Sequence, residues 1–383
     1  MAVIHLVLAD PDGDYLEKLG RYLLKHKQNP FELELFTNRE ALNGWFESGG
    51  TADLIGISEN FGNDAVSAEG IGNRVLLCEE ALNSGRNRIF KYQPLDVLMR
   101  ELLACCADVV KPVVPAGRGG GRMLLVLSVD GCESFNPLAP ALAAAYGREH
   151  GKVFYLNLDP LGATSLFFQT GQTRGLTEML YYIKSGKENL PLRVEACTSH
   201  DANWGVDYFL APLNPRDLFE LKASECESLV QAVLGRGTYD WLIVYRDLRG
   251  DEPEQKLLEL AESICVAGTD NPVSRYRIKK WLEALEQTQT KSDEGLKSKI
   301  QPVLAAMSHS PQNTEESRLG DSEILALPWY RESPDTPGSS FRGDGGPLAG
   351  GSDYLRAVKS AFAGFMGLNC DSAAHGNEGG EKI

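Results

Sequence analysis

A chain of 383 residues is longer than one typical domain, so its length predicts two domains. Its 38 basic and 53 acidic side chains give a formal net charge of −15, and no basic stripe is available to neutralise phosphates, which disfavours a DNA- or RNA-binding role. No apolar run approaches the roughly 20 residues of a membrane span, and the first residues lack a signal-peptide pattern, so the expected location is the cytoplasm.

The eight cysteines are scattered and form no C-x-x-C pair, and the six histidines do not cluster with them. This spacing predicts no zinc site. The cysteines are therefore expected to be free thiols, as in a reducing cytoplasm.

Strands and helices alternate in residues 1–110. An apolar strand over 3–9 stops at the turn Asp10-Pro11-Asp12-Gly13, and a helix near 14–27 follows, with leucines at helical spacing. The pattern then predicts strands at 31–36, 54–58, 74–78 and 88–91, and helices at 39–46 and 95–109. This alternation is typical of a parallel sheet with helices on both faces. The residues at 111–122, rich in Pro and Gly, are interpreted as a linker.

Residues 123–367 repeat this alternation on a larger scale. The predicted strands are 123–128, 153–158, 208–211, 241–244, 263–268 and 324–327, and the predicted helices are near 137–150, 175–185, 215–235, 274–285 and 352–367. A long loop is expected at 331–352, which is rich in Gly, Pro and Ser, and a flexible tail at 368–383. The predicted fold class is α/β, with two doubly wound parallel-sheet domains.

The order and lengths of the elements in residues 1–110 resemble the receiver domain of two-component response regulators. The resemblance implies an acidic pair that holds a divalent cation, an aspartate that accepts a phosphoryl group, and a lysine that precedes a proline. Asp10 and Asp12 match the acidic pair and are the candidate metal ligands, but Ser58 stands at the acceptor position. The lysine position before Pro94 is Gln93, with Lys91 two residues earlier.

Aspartyl phosphorylation is therefore not expected, and the resemblance implies a pseudo-receiver that docks to partners. Asp10 and Asp12 also fit a second interpretation, a polar turn at the start of a helix that needs no metal.

The segment 123–162, MLLVLSVDGCESFNPLAPALAAAYGREHGKVFYLNLDPLG, resembles the start of MinD/ParA-type P-loop ATPases. That class has a strand, a K-G-G-x-G-K-T-T loop, a helix and a strand that ends in D-x-D-P. The likeness continues through 175–180, 209–221, 239–248 and 325–329, and so covers nearly all of residues 123–367. The resemblance implies a P-loop fold, which in intact members binds ATP with magnesium.

The residues that would bind the phosphates are replaced. In loop order the family positions hold Asp130, Gly131, Cys132, Glu133, Ser134, Phe135 and Asn136. A P-loop needs glycine N–H groups and lysines around the phosphates, whereas Asp130 and Phe135 stand at the two lysine positions. A carboxylate about 4 Å from a phosphate repels it by roughly 4 kcal/mol at an effective dielectric constant near 20, and a helix N-terminus returns only about 1 kcal/mol. The loop is expected to repel a triphosphate, and no cofactor is expected.

The magnesium ligands are replaced as well. Asn136 stands at the threonine position of the loop, Tyr245 at the aspartate position after the strand at 241–244, and Asn157 at the first aspartate of D-x-D-P. Asp159 remains where the family has the aspartate that orients the attacking water. It also fits a capped turn before Pro160, and the acids of the loop fit a helix N-terminus without any ligand.

A receiver-like domain ahead of a MinD-like domain resembles the TadZ/CpaE group, which locates and helps assemble Tad (Flp) pili. The resemblance implies a non-catalytic or weakly nucleotide-binding scaffold. It also implies a cytoplasmic homodimer that places the pilus secretion ATPase at the inner face of the membrane or at the cell pole.

Three points stay open at this stage. ATP could bind weakly and control dimerisation, with Trp329 as a candidate to stack on the base, or the chain could be a functional MinD/ParA-type ATPase that acts as a dimerisation switch in positioning or partitioning. The helix at 352–367 fits a core helix and also a peripheral membrane anchor. Its apolar stripe is Tyr354, Leu355, Val358, Ala361, Phe362, Phe365 and Met366.

Overall fold

The computed structural model describes residues 4–25, 31–61, 73–80, 87–108, 120–131, 133, 136–149, 151–168, 174–235, 237–288, 295–306, 318–319, 322–330 and 352–366. The chain divides into two compact units. The first contains Met1–Gly117 and Glu178–Cys197, and the second contains Arg118–Thr177 and Thr198–Ile383. Most of the predicted linker (111–119), the predicted loop (331–351) and the predicted tail (368–383) lie outside the described residues.

Five parallel strands form the sheet of the first unit, in the order β2-β1-β3-β4-β5. This order is the one found in flavodoxin-like doubly wound sheets. The strands are β1 (Ile4–Ala9), β2 (Phe31–Phe36), β3 (Leu54–Ser58), β4 (Arg74–Cys78) and β5 (Arg88–Phe90). The helices that follow them in sequence are α1 (Gly13–Lys25), α2 (Arg39–Glu47) and α3 (Leu95–Cys106).

Apolar side chains cover both faces of this first sheet, because successive residues of a strand point to opposite faces. Leu6 and Leu8 of β1 belong to one core, together with leucines of α1 and α3. Val7 and Ala9 belong to a second core on the other face, together with Leu42 of α2. The first unit is therefore a doubly wound α/β unit, as the alternation of elements predicts.

The second unit contains an eight-stranded sheet in the order β15-β12-β11-β6-β10-β7-β9-β8, in which only the β8-β9 pair is antiparallel. Its strands are β6 (Arg122–Ser128), β7 (Val153–Asn157), β8 (Ser199–Asp201), β9 (Val206–Tyr208), β10 (Trp241–Asp247), β11 (Ser263–Thr269), β12 (Ile300–Ala306) and β15 (Leu325–Pro328). Strands β13 (Arg318–Leu319) and β14 (Ser322–Glu323) form a separate antiparallel pair. Its helices are α4 (Leu138–Arg148), α5 (Thr164–Phe167), α8 (Arg216–Phe219), α9 (Ala223–Leu234), α10 (Glu252–Leu260), α11 (Pro272–Thr288) and α12 (Ser352–Met366).

The second unit confirms the predicted α/β class but differs from the prediction in several elements. Strand β12 was not predicted, and the strand expected at 208–211 lies earlier, at β9. The helix expected over 215–235 is interrupted between α8 and α9, and α10 was not predicted.

Helix α12 belongs to the core of the second unit. Tyr354, Val358, Phe362 and Met366 are buried with residues of α4 and the central strands. The structure thus buries four of the seven residues of the apolar stripe, as the core interpretation predicts, and leaves Ala361 and Phe365 exposed. Across the described part of the chain, no helix combines the length and the hydropathy that a membrane span requires.

Two helices that lie between β7 and β8 in sequence pack in the first unit. They are α6 (Leu176–Lys184), from Glu178 onward, and α7 (Leu190–Cys197). Ala196 of α7 joins the core that contains Leu98 and Leu102 of α3. Arg193 is 2% exposed, donates to Asp108 Oδ1 at 2.7 Å and lies over the Tyr182 ring at 4.5 Å. A segment that the sequence analysis placed in residues 123–367 is thus part of the first unit.

Candidate functional site

The candidate site lies where strands β6, β7 and β10 end, on the carboxyl edge of the second sheet. Ligands of open α/β sheets bind at this edge. The loop at 129–137 connects β6 to α4 here, and it contains most of the residues singled out from the sequence. Cys132, Ser134 and Phe135 of this loop lie outside the described residues.

Asp130 binds the neighbouring strand and helix through its carboxylate. Its Oδ2 atom accepts hydrogen bonds from the Thr269 backbone N–H at 3.0 Å, from Thr269 Oγ1 at 2.8 Å and from Ser274 Oγ at 2.6 Å. Its Oδ1 atom is buried and has no hydrogen-bond partner within the described ranges. The carboxylate at the position of the signature lysine therefore joins β6 to the start of α11. Gly131 follows with φ of 65°, a left-handed conformation that favours glycine.

Asn136 is 1% exposed and is held by hydrogen bonds with β11 and α12. Its amide donates to Gly268 O at 3.1 Å, and its Oδ1 atom accepts from the Tyr354 hydroxyl of α12 at 2.6 Å. The residue at the magnesium-binding threonine position thus connects the start of α4 to β11 and to the last helix.

Three carboxylates lie close enough to affect each other at this edge. Burial, followed by the nearby Asp159 and Asp247, raises the pKa of Glu133 to about 8. Burial and then Asp159 also raise the pKa of Asp247. We call Glu133, Asp159 and Asp247 the acidic cluster. Asp159 and Asp247 place negative charge where a P-loop protein binds a triphosphate, and Glu133 adds to that charge only above a pH of about 8.

Asp247 is a site residue that the sequence analysis missed. It follows Tyr245 by two residues on β10, and the Tyr245 hydroxyl donates to Asp247 Oδ1 at 3.2 Å. The sequence YRD contained the signal, because residues two apart on a strand point to the same face.

Asp159 lies in the turn after β7. Its backbone N–H donates to Asn157 Oδ1 at 2.9 Å, and its Oδ1 atom accepts from the Leu161 backbone N–H at 3.2 Å. The Asn157 amide in turn donates to the buried Tyr155 hydroxyl at 3.1 Å. The guanidinium of Arg249 is 3.9 Å from Asp159. These contacts fit the interpretation of Asp159 as a capped turn.

Trp329, the candidate to stack on a base, is held by the neighbouring strand. Its indole N–H donates to Ala305 O at 2.9 Å, and its backbone N–H donates to Ala306 O at 3.0 Å. The side chain is partly buried. Its contacts tie the residue to β12 and need no ligand.

In the first unit, the side chain of Lys91 forms ion pairs with two carboxylates, those of Asp10 and Glu79. Its ammonium group is 2% exposed and lies 3.0 Å from Asp10 Oδ2 and 2.7 Å from Glu79 Oε1. Burial lowers the pKa of Lys91, but the hydrogen bonds with Glu79 and Asp10 outweigh it and raise the pKa above the ordinary value. Asp10 is fully buried, so a cation that bound it would have to displace Lys91.

Asp12 and Ser58 take no part in that ion pair. Asp12 Oδ1 accepts from the Tyr15 backbone N–H at 3.0 Å, as in the predicted polar turn at the start of a helix. The Ser58 hydroxyl is buried and, within the part of the chain that the structure describes, has no hydrogen-bond partner. In that same part no group of three His, Cys, Asp or Glu side chains is arranged to hold a metal ion.

Solved structures similar to this chain are MinD and ParA ATPases. A ParA family ATPase from Chlorobium tepidum matches with a TM-score of 0.50 and 17% identity, over 63% of this chain and 98% of that one. MinD from Aquifex aeolicus matches with a TM-score of 0.47 and 13% identity, over 63% and 98%. MinD from Pyrococcus horikoshii, complexed with Mg-ADP, matches with a TM-score of 0.47 and 12% identity, over 64% and 98%.

The likeness to the Chlorobium protein shows a shared fold, so the chain contains a domain with a MinD/ParA-like P-loop fold. No family model and no curated protein matches the sequence. Function therefore has to be argued from the side chains of the site.

Proposed function

We propose that the chain is a scaffold that binds nucleotide weakly or not at all, and that it localises and helps assemble a Tad (Flp) pilus secretion machine. The observation that carries the first part is the hydrogen bonding of Asp130. Its carboxylate accepts three hydrogen bonds from Thr269 and Ser274 and so adds a fixed negative charge to the loop that would enclose a triphosphate.

The electrostatics of the loop support this proposal. A phosphate near Asp130, Asp159 and Asp247 would meet three carboxylates, and each ionised one costs roughly 4 kcal/mol at about 4 Å and an effective dielectric constant near 20. Glu133, with a pKa of about 8, adds a further negative charge only above that pH. Arg249, which lies over the Phe219 ring and 3.9 Å from Asp159, offsets part of one of them. A magnesium ion would lack the hydroxyl ligand of the family, because the residue at that position is Asn136. The amide group of Asn136 is already hydrogen-bonded to Gly268 and Tyr354.

The first unit supports a role that depends on surfaces. Ser58 stands at the acceptor position, and Lys91 already neutralises Asp10. The unit keeps its sheet and helices without the groups that transfer a phosphoryl group.

The pilus role, the dimer and the location rest on the resemblance to the TadZ/CpaE group. A scaffold of this kind would bind the pilus secretion ATPase and hold it at the inner face of the membrane or at the cell pole. Deletion of the gene is expected to abolish pili, and restoration with the Asp130→Asn variant is expected to restore them. Normal pili in the deletion strain would contradict the pilus role.

Hydrolysis of ATP tests the catalytic part of the proposal. The purified chain with ATP and magnesium is expected to release phosphate at the rate of the buffer alone. Phosphate release that Asp159→Ala abolishes would instead support an ATP-dependent dimerisation switch. That second function is favoured by one observation, the presence of Asp159 at the turn after β7 in a MinD/ParA-like fold.

A further inference from the structure

Two large apolar side chains are exposed beside the acidic cluster. Leu161 is 78% exposed and Phe219 is 61% exposed. We call these two residues the apolar edge patch. Single exposed apolar residues need no explanation, but apolar residues grouped beside polar ones mark sites of protein interaction.

Contacts with Arg249 and Asp159 join the patch to the acidic cluster. The Arg249 guanidinium lies 5.1 Å from the centre of the Phe219 ring and 3.9 Å from Asp159 Oδ1. The same Asp159 oxygen accepts the backbone N–H of Leu161 at 3.2 Å. Leu161 therefore lies in the turn after β7 and Phe219 at the end of the short helix α8, and Asp159 and Arg249 connect the two.

The charge next to the patch decides which occupant fits. Burial, and then the carboxylates of Asp159 and Asp247, raise the pKa of Glu133 to about 8. A cation brought among them would favour the ionised forms. Arg249, 3.9 Å from Asp159, is a basic neighbour of the cluster.

We propose that this edge of the second unit binds a partner protein through a segment that carries a lysine or arginine beside an apolar side chain. The cation would lie at Asp159 and Asp247, and the apolar side chain would cover Leu161 and Phe219. Nucleic acid and anionic lipid carry the wrong charge for this edge, and a second copy of the chain would bring a second acidic cluster against the first. This inference rests on the proposed scaffold function, because a bound triphosphate would require the opposite charge.

A short synthetic peptide of alternating leucine and arginine tests this assignment by fluorescence anisotropy with the full chain. Reference peptides carry glutamate or glutamine in place of arginine. The arginine peptide is expected to bind at least tenfold more tightly than either reference. Leu161→Ser combined with Phe219→Ser, and separately Asp159→Asn, are expected to weaken its binding about tenfold.

Two matched variants separate this edge from the general negative charge of the chain. Leu24→Ser changes an equally exposed leucine of the first unit, 67% exposed, and Glu47→Gln changes an exposed acid of α2. Both are expected to leave peptide binding unchanged, and circular dichroism checks that every variant is folded. Equal binding of the three peptides, or equal binding by the edge variants and the controls, would overturn the inference.

Competition with ATP and magnesium separates the two proposals. Peptide binding is expected to be unaffected by ATP. If neither peptide nor ATP binds, the docking surface is wrong while the scaffold function stands, and if ATP displaces the peptide, the scaffold function fails. Self-association that the Leu161→Ser, Phe219→Ser variant abolishes would assign the edge to a second copy and overturn the inference.

Discussion

At the scale of single residues, Lys91 and Asp130 are charged side chains that contacts with neighbouring residues stabilise. Lys91 pairs with Asp10 and Glu79 in the first unit, and Asp130 accepts hydrogen bonds from Thr269 and Ser274 in the second. Asp130 stands where the resemblance to MinD/ParA ATPases implies a lysine, and Lys91 lies two residues before the position where the resemblance to receivers implies one. Each has instead a structural role that a stability measurement can detect.

Removal of the Lys91 charge is expected to destabilise the first unit. Lys91→Met leaves Asp10 fully buried without its cation, so the free energy of unfolding should fall by about 3 kcal/mol. Urea unfolding followed by circular dichroism measures the change. Arg21→Met, which breaks an exposed pair with Glu17, is the matched control and should cost less than about 0.5 kcal/mol. A Lys91→Met protein as stable as the control variant would show that the buried pair contributes nothing.

Glu133 is expected to make the protein less stable as the pH rises. Its pKa is about 8 in the folded state against an ordinary 4.5, so between these values the folded state binds more protons than the unfolded state. The unfolding free energy therefore falls as the pH increases from about 4.5 to about 8. Glu133→Gln should remove this loss and be more stable at pH 8 by up to about 4 kcal/mol, since each pKa unit corresponds to about 1.4 kcal/mol.

The measurement for Glu133 is a series of urea unfolding curves across that pH range. Glu47→Gln, at an exposed site on α2, is the control and should follow the wild type. Parallel curves for the wild type and Glu133→Gln would mean that the cluster does not hold a proton.

At the scale of elements, the sequence did not predict that helices α6 and α7 pack in the first unit. Apolar runs identify β1 and β6 directly, and helical spacing identifies α1 and α12. Helix α7 gives no such signal, because Pro191 lies in its first turn and Arg193, a charged residue, is buried in it. Its position depends on contacts with α3 and with Asp108, which no local pattern encodes.

Helix α10, in contrast to α7, could have been predicted, because the sequence contains residues that are typical of a helix start. Asp251 caps it by accepting the Glu254 backbone N–H, and Pro253 lies in its first turn. Strand β12 was hidden because Gln301 and Pro302 interrupt its apolar run, although it pairs with both β11 and β15. A proline is unusual in a strand that pairs on both sides, so the sequence pattern does not predict a strand at 300–306.

The buried Arg193 is expected to hold α7 in the first unit. It donates hydrogen bonds to Asp108 Oδ1 and to Ala107 O. Burial raises the pKa of Asp108, but the nearby Arg193 guanidinium outweighs burial and holds that pKa below its ordinary value. Arg193→Met should lower the unfolding free energy by about 3 kcal/mol. Hydrogen exchange measured by mass spectrometry should then increase in α7 and α3.

The control for Arg193 is Arg216→Met, which changes an arginine whose side chain is 78% exposed on α8. It should leave exchange in α3 and α7 unchanged. Unaltered exchange in the Arg193→Met protein would contradict the assignment of α7 to the first unit.

The hydrogen bond from Tyr354 to Asn136 is expected to stabilise the packing of α12. Tyr354→Phe removes this buried bond of 2.6 Å and should lower the unfolding free energy by about 1 to 2 kcal/mol. Tyr276→Phe, on an exposed tyrosine of α11, is the control and should be neutral. Thermal unfolding of both variants measures the difference, and equal melting temperatures would exclude a role for the bond.

At the scale of the whole molecule, the fold is MinD/ParA-like, whereas the carboxylates of the site disfavour the binding of a triphosphate. The second sheet and the likeness to the Chlorobium ATPase give a MinD/ParA-like fold, which the order of segments in the sequence predicts. The sequence also predicted that carboxylates stand in the loop. It could not predict that Asp130 is hydrogen-bonded to β11 and α11, or that Asp247 joins Glu133, because these contacts join residues more than 100 positions apart.

Calorimetric titration of the full chain with ATP and magnesium tests the central claim most directly, since it measures whether this carboxylate-lined loop accepts a triphosphate. The expected result is no heat of binding beyond dilution at millimolar ATP, and the same result with Asp130→Asn, because Asp159 and Asp247 remain. Saturable binding with a micromolar dissociation constant would contradict the account.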